Sequence, residues 1–345
     1  MSSQRCCAKC FGDRQVAEQY IKQSDPIIQT CNYCHTPDTA CVEPHRLGEW
    51  FWTLLATYEE VHDGASITQL LMDEWKMFSG SNLDHAGAKD LLADVLNDGE
   101  IVRRRFLPIA YPGGGNLKRW EELRDEMMHV NRWFLADPMD MDRIKNLLNY
   151  LIAQQYLIEN QRWYRARLMN SDVVYPLAEM GAPPRHLARH GRANPAGIPY
   201  LYLGSTPATA VAELRPHTGE HACVAEFTLS GSGLKFADLR DPRGLTSPLI
   251  GDESDVIRLR ADLSFLERLG EELTRPVQPS GAPYEYIPTQ YLCEFMKTCG
   301  FDGVLYRSSV SNDNGINLAL FNPDSANATK VNRVSVERVS VQISQ

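Results

Sequence analysis

The sequence predicts an α+β protein, and three observations carry that expectation. Apolar residues recur at helical spacing through residues 46–158. After about Asn160 the stripes give way to short strands separated by Gly and Pro. Ahead of both, six of the nine cysteines crowd into the first 41 residues. The expected division is a cysteine-rich segment over 1–45, a helical domain over 46–158 and a mixed α/β domain over 159–345.

Chain length and composition agree with several packed cores. The 345 residues are 43% apolar and 23% charged, as in a folded globular protein. A net charge of −9 argues against the whole chain being a nucleic-acid glove, while a local basic patch stays possible. No apolar run approaches the roughly 18 residues of a membrane span. The N-terminal MSSQRCCAKC has no apolar core of a signal peptide, so the expected location is the cytoplasm.

In a cytosolic chain, clustered cysteines point to metal rather than disulfides. Cys7-Ala-Lys-Cys10 and Cys31-Asn-Tyr-Cys34 are two CxxC pairs about 20 residues apart. Each pair supplies two thiolates from one tight turn, which suits a closed, structural zinc tetrahedron. Cys6, His35, Cys41 and His45 lie close enough in sequence to be alternative ligands. Cys223, Cys293 and Cys299 read as small buried hydrophobes.

The helical domain is read element by element. Leu47 to Val61 carries Trp50, Phe51, Leu54, Leu55 and Tyr58 near helical spacing. Ser66-x-x-Gln69 is a capping-box pattern ahead of Leu70, Leu71 and Trp75. Ala88 to Leu96 repeats the stripe, and Asn97, Asp98 and Gly99 stop it. Tyr111 to Gly115 is a loop, Leu117 to Phe134 a helix, and Ile144 to Ile152 the last apolar stripe. All of these stripes read as core.

In the mixed domain Arg162 to Arg167 reads as a strand, with Trp163, Arg165 and Arg167 on one face. Gly191 to Arg215 (GRANPAGIPYLYLGSTPATAVAELR) holds a loop with Arg192, a strand with Tyr202, and a short helix from Ala208 to Leu214 bearing Glu213. Ser205 and Thr206 are N-cap types, and Pro207 suits the first helical position. Ala222 to Leu229 and Leu234 to Leu239 are strands. Asp241 to Ser254 is irregular and polar, a candidate lid. Helices follow over Asp262 to Leu273 and Thr289 to Cys299, the latter closed by Gly300. Phe301 to Arg307 and Asn317 to Phe321 are strands, and Val331 to Ile343 is an edge strand.

Chemistry converges in this half. Two arginines match pyrophosphate oxygens through bidentate forks. An aromatic face such as Tyr202 suits a planar ring. One carboxylate, Glu213, suits a ribose whose anomeric carbon gains positive charge. Glu213 is equally a partner for Arg215, and Tyr202 equally a core residue. No Gly-rich phosphate loop is present, so side chains would have to hold a nucleotide.

At these residues the sequence resembles the RES domain family. The blocks are YRAR, GRANPAG, YLYLGS, TAVAELR, GFDGVLYRSS and NLALF, over about residues 160 to 325. The resemblance implies an ADP-ribosyltransferase-like fold and an enzyme that consumes NAD and releases nicotinamide. Arg165 and Arg192 would hold NAD phosphates, Tyr202 the nicotinamide end, Glu213 would be the catalytic carboxylate, Ser308 (with Ser309 adjacent) the serine, and Asn317 a supporting polar residue. Nicotinamide leaves as a neutral molecule, so no second carboxylate is required. Water, phosphate or a macromolecule is the acceptor. Many RES domains are toxins restrained by an antitoxin. This chain is longer than a minimal one, which suggests a sensing front half; self-association is left open. The front half also resembles the HEPN-like helical region, through Arg124 and His129 in R-D-E-M-M-H. There the arginine would hold phosphate and the histidine transfer protons. A solvated Arg124 and a partly packed His129 are the alternative.

Overall fold

The computed structural model describes residues 4–79, 83–113, 117–153, 158, 160–278, 281–311 and 313–339. The chain forms two compact units, Met1–Leu117 with Pro242–Phe265, and Lys118–Asp241 with Leu266–Gln345. Helices and sheets coexist in both, and the α+β expectation holds.

The first unit begins with a small antiparallel sheet of β1 (Cys6–Cys7), β2 (Ile27–Gln29) and β3 (Thr39–Val42), in the order β1-β3-β2. A helical turn over Ala8–Phe11 follows β1 and ends on Gly12, whose φ of 70° is left-handed. Helices Gly48–Leu55, Ile67–Trp75 and His85–Leu96 bury the expected stripes, including Phe51, Leu54, Leu71, Leu91 and Leu92. The first of them stops earlier than its periodicity predicts. Thr57 is fully buried and its hydroxyl donates to the Leu54 carbonyl at 2.7 Å, turning the chain. Tyr58–Ser66 then runs as β4, paired with β5 (Arg105–Pro108). Ser66 caps its helix through the Gln69 amide, but the Gln69 side chain bonds Asp73 rather than reaching back. Only half of the capping box forms.

The candidate lid is packed core instead. Pro242–Leu245 is a helical turn, and Thr246, Ser247 and Leu249 are buried. The Tyr20 hydroxyl donates to the Leu249 carbonyl, and Arg243 donates to the Glu74 carbonyl. Leu249 and Pro242 supply apolar surface that the polar look of the segment conceals. The following helix is longer than its stripe suggests, Glu253–Thr274, because Asp252 accepts from the Asp255 amide and starts it more than two turns earlier.

The second unit is built on a seven-stranded sheet: β6 (Trp163–Leu168), β7 (Leu201–Gly204), β8 (His221–Leu229), β9 (Phe236–Asp238), β10 (Gly303–Arg307), β11 (Ile316–Leu320) and β12 (Ala326–Ser335). Their order is β12-β8-β6-β7-β11-β10-β9. Among the described residues only the β9–β10 pairing is parallel. β12 begins before the predicted tail strand and carries a register shift between Ala328 and Lys330. Val341 and Ile343 of that prediction lie outside the described residues, as do Gly114 and Gly115 of the predicted loop.

Alternation along the strands gives the sheet two distinct faces. One face packs Trp163, Leu203, Cys223, Ala225, Phe227, Leu305 and Leu318 into the main core. On the other, Ala166 and Val224 pack against Ala210 of the Pro207–Ala212 helix. That helix sits close because β7 ends in glycine: a Cβ on Gly204 would lie 2.8 Å from the Ala210 amide nitrogen. Helix Ile287–Thr298 ends as predicted, with Gly300 at φ 81°.

Candidate active site

The site forms where the helix face of the sheet meets the ends of three elements. Thr206 caps the Pro207–Ala212 helix by accepting from the Thr209 amide at 3.0 Å, and Pro207 opens it. Glu213 is the first residue past the helix, its side chain exposed. Asn317 lies on β11, directly opposite Gly204 of β7 and Tyr306 of β10. Ser308 follows β10, and its amide donates to the Gly315 carbonyl at 2.8 Å.

Three predicted residues meet here. Ser308 Oγ donates to Glu213 Oε1 at 2.7 Å, and Asn317 Nδ2 donates to the same oxygen at 2.6 Å. Asn317 is itself buried, so its amide is fixed by the sheet. Among the described residues Oε2 takes no hydrogen bond. The arrangement is a carboxylate held by two neutral donors on one oxygen, with the other oxygen left for a ligand.

The predicted arginines stand apart from this triad. Arg165 pairs across the ladder with Ala225, so the pleat starts it on the main-core face, opposite Asn317. Its Nη1 reaches the Tyr202 carbonyl at 3.4 Å, next to the single β6–β7 pair, Tyr164 with Gly204. Its Nε is buried with no hydrogen-bond partner among the described residues. Burial, then the neighbouring Arg167 charge, pushes the guanidinium down to about 10. It remains a cation at neutral pH.

Arg192 caps a helix. Its Nη1 donates to the carbonyls of Leu273 and Arg275 at 2.6 Å each, at the end of the Glu253–Thr274 helix, where a cation is favoured. The guanidinium also stands 5.7 Å from the Tyr286 ring centroid. Thr289 and Gln290 hold its loop through the Arg192 and Gly191 carbonyls.

Tyr202 faces the same way as Asn317 in the register, and its hydroxyl is already used. It donates to Asn194 Oδ1 at 2.7 Å and accepts from the Ala193 amide at 3.0 Å. Asn194, buried, donates in turn to the carbonyls of Arg189, Pro195 and Ile198. Tyr202 and Asn194 therefore fold the loop that carries Arg192. Tyr202→Phe is expected to cost about 1–3 kcal/mol, because the Ala193 amide and Asn194 Oδ1 both lose a buried partner. Urea unfolding checks this, and unchanged stability would show the hydroxyl to be idle.

Sequence reasoning missed Asn194 and Tyr306. The first lies inside the quoted GRANPAG block, where a small buried amide is indistinguishable from a turn residue. Tyr306 is buried, and burial pushes its phenol well up; charges on Tyr202 and Glu213 add to the shift and Arg192 opposes it. Period-two alternation in GVLYR, read against Asn317, was the available signal. Arg124 is committed elsewhere: its Nε lies 3.1 Å from the fully buried Glu272, which Arg268 and Arg275 also pair. His129 is half exposed beside Asp125, about 140° away from Arg124 around the same helix.

The cysteine cluster assembles as the spacing predicts. Sγ atoms of Cys7, Cys10, Cys31 and Cys34 all lie within 4.8 Å of one another. Cys7 and Cys34 are 3.5 Å apart, Cys10 and Cys31 3.4 Å. A zinc tetrahedron with 2.3 Å bonds has S–S edges of about 3.8 Å, so the four thiols fit the ion. Hydrogen bonds from Cys10 and then Cys7 hold Cys31 far below the ordinary thiol range. Cys6 and Cys41 bond the carbonyls of Val42 and Gln29 instead, and burial pushes Cys41 up to about 12. Both stay outside the cluster.

Comparison with known proteins adds the following. A family model for the RES domain matches residues 162–342. Among solved structures, a chain of the crystal structure of the M.tuberculosis MbcT-MbcA toxin-antitoxin complex is similar at 12% identity, covering 56% of this chain and 92% of that one, with a TM-score of 0.30. No curated protein matches.

Proposed function

The chain belongs to the RES domain family, and from that premise we propose that it consumes NAD by breaking the nicotinamide–ribose bond. The observation that carries this reading is the exposed Glu213 carboxylate, with Oε1 held by Ser308 and Asn317. Nicotinamide departs with the electron pair of the C–N bond and needs no proton. Glu213, ionised, stabilises the positive charge left on the ribose. Water then bonds to the anomeric carbon and loses a proton, giving ADP-ribose; phosphate in its place gives the 1-phosphate. Ser308 and Asn317 keep the carboxylate from turning away.

Arg165 offers a buried Nε with no hydrogen-bond partner among the described residues, a cationic donor that invites an anion, although its side chain starts on the sheet face away from Asn317. Arg192 offers Nε and Nη2, while Nη1 stays on the helix end. Tyr202 has only its ring face for nicotinamide. In this reading residues 159–345 form the NAD-consuming domain, behind a zinc-binding segment (1–45) and a helical segment (46–158). Those segments gate a toxin-like enzyme, with an antitoxin-type protein as a further restraint. Cys7, Cys10, Cys31 and Cys34 would hold one zinc ion, a closed set whose role is folding. No helix among the described residues is long and apolar enough to cross a membrane.

The test is purified chain incubated with NAD, with and without phosphate. Nicotinamide release is expected. Its absence from both the full chain and residues 118–345, which keep the second unit whole, overturns the reading. Label from NAD retained on a macromolecule would identify transfer in place of hydrolysis.

A further inference from the structure

We propose that Asp313 is a positioning residue: it clamps the loop between β10 and β11 onto the Pro207–Ala212 helix and so fixes Ser308 against Glu213. The inference rests on the reading of Glu213 and Ser308 given above.

The loop over 308–315 is bonded to both ends of one short helix. At its base Ser308 reaches Glu213, just past the helix C-terminus. Near its tip Asp313 Oδ2 accepts from Thr206 Oγ1 at 3.0 Å, and Oδ1 accepts from Thr209 Oγ1 at 3.4 Å and from Ser311. Three hydroxyls thus converge on one carboxylate. Thr206 already accepts from the Thr209 amide as the helix cap, so its own proton must go to another acceptor. Asp313, an acceptor on both oxygens, is the group that takes it. Thr209 is fully buried and its hydroxyl lies 2.8 Å from Thr206 Oγ1, so the cap, the helix and the loop share one network.

The backbone is shaped for the same contact. A Cβ on Gly315 would come within 2.3 Å of Thr209 Oγ1 and 2.7 Å of Ser311 Oγ, so only glycine lets the loop close on the helix here. On the other side Ile316 is tied to Ser205 by two bonds, of 2.8 and 2.9 Å. Hydrogen bonding from Ser311, then Thr206 and Thr209, holds the Asp313 carboxyl below the usual range, so the clamp is charged at neutral pH.

A serine bonded to an exposed carboxylate has little hold in water by itself. Its orientation depends on how well the loop is fixed, and misplacement of a reacting group is costly. Loss of the clamp is therefore expected to act on turnover more than on binding.

Four proteins decide the matter: wild type, Asp313→Ala, Thr209→Val and Thr209→Ser. Two readouts are taken on each, steady-state NAD consumption and amide hydrogen exchange across 308–316. Asp313→Ala and Thr209→Val are expected to lower kcat at least tenfold with KM within threefold, and to speed exchange in the loop at least tenfold. Thr209→Ser keeps the hydroxyl and is expected to recover most of both. Loop exchange unchanged in Asp313→Ala and Thr209→Val overturns the clamp whether or not the protein consumes NAD. Faster exchange with kcat unchanged overturns its role in turnover. An inactive wild type whose loop still loosens in these variants overturns the NAD reading and leaves the clamp standing as a structural one. Thr209→Val preserves volume and so covers the case in which Asp313→Ala fails to fold.

Discussion

Glu213→Gln is expected to lower nicotinamide release from NAD by about 10²–10³, equivalent to roughly 2.7–4 kcal/mol of transition-state stabilisation. The substitution keeps the shape and an oxygen for Ser308 and Asn317 to bond, and it removes the charge. Charge matters only as the C–N bond breaks and the ribose becomes cationic. The loss should therefore fall on kcat, with KM for NAD little changed. Because Glu213 is exposed, the amide should cost no more than about 0.5 kcal/mol of stability. A folded Gln variant working within threefold of wild type would mean that the carboxylate is structural. A rise in KM with kcat preserved would instead assign Glu213 to ground-state binding.

The triad of Glu213, Ser308 and Asn317 was legible through the resemblance of TAVAELR, GFDGVLYRSS and NLALF to the RES family, while the residues by themselves singled out Glu213 on its short capped helix. β7 and the helix are short, and local signals set their ends: Gly204 and Thr206-Pro207. What sequence could not supply was long-range. Arg192 reads as a phosphate arginine until the end of a helix some 80 residues away presents two carbonyls to it. Arg124 reads as half of a nuclease motif until Glu272 arrives from a distant helix as a fully buried counter-charge. Breaking such a buried pair costs several kcal/mol, so Arg124 is not spare. The supposed lid failed for a related reason. Polar residues over 241–254 conceal Pro242 and Leu249, whose burial depends on partners such as Tyr20 that lie far away in sequence. Local chemistry located the carboxylate; packing decided which arginines were already taken.

The cysteine cluster gives the second large effect. The purified chain is expected to carry about one zinc ion, and a strong chelator is expected to remove it with loss of the N-terminal fold. β1, β2 and β3 have two to four residues each, too few to bury a core of their own. Structural zinc supplies roughly 10–16 kcal/mol of apparent binding energy to such segments. Without a cation, hydrogen bonding with Cys31 and then Cys7 inside the cluster keeps the proton on Cys10 and drives it up. Cys10→Ser and Cys31→Ser should each lose the metal, read by atomic spectroscopy, together with near-UV circular dichroism. Cys41→Ser should keep it, because its thiol bonds the Gln29 carbonyl instead. Protons compete with zinc for thiolate, so retention should fall as pH is lowered. A metal-free chain with an unchanged melting temperature would overturn the assignment. Equal metal loss in Cys41→Ser would show that the ligand set is wider than the two CxxC pairs.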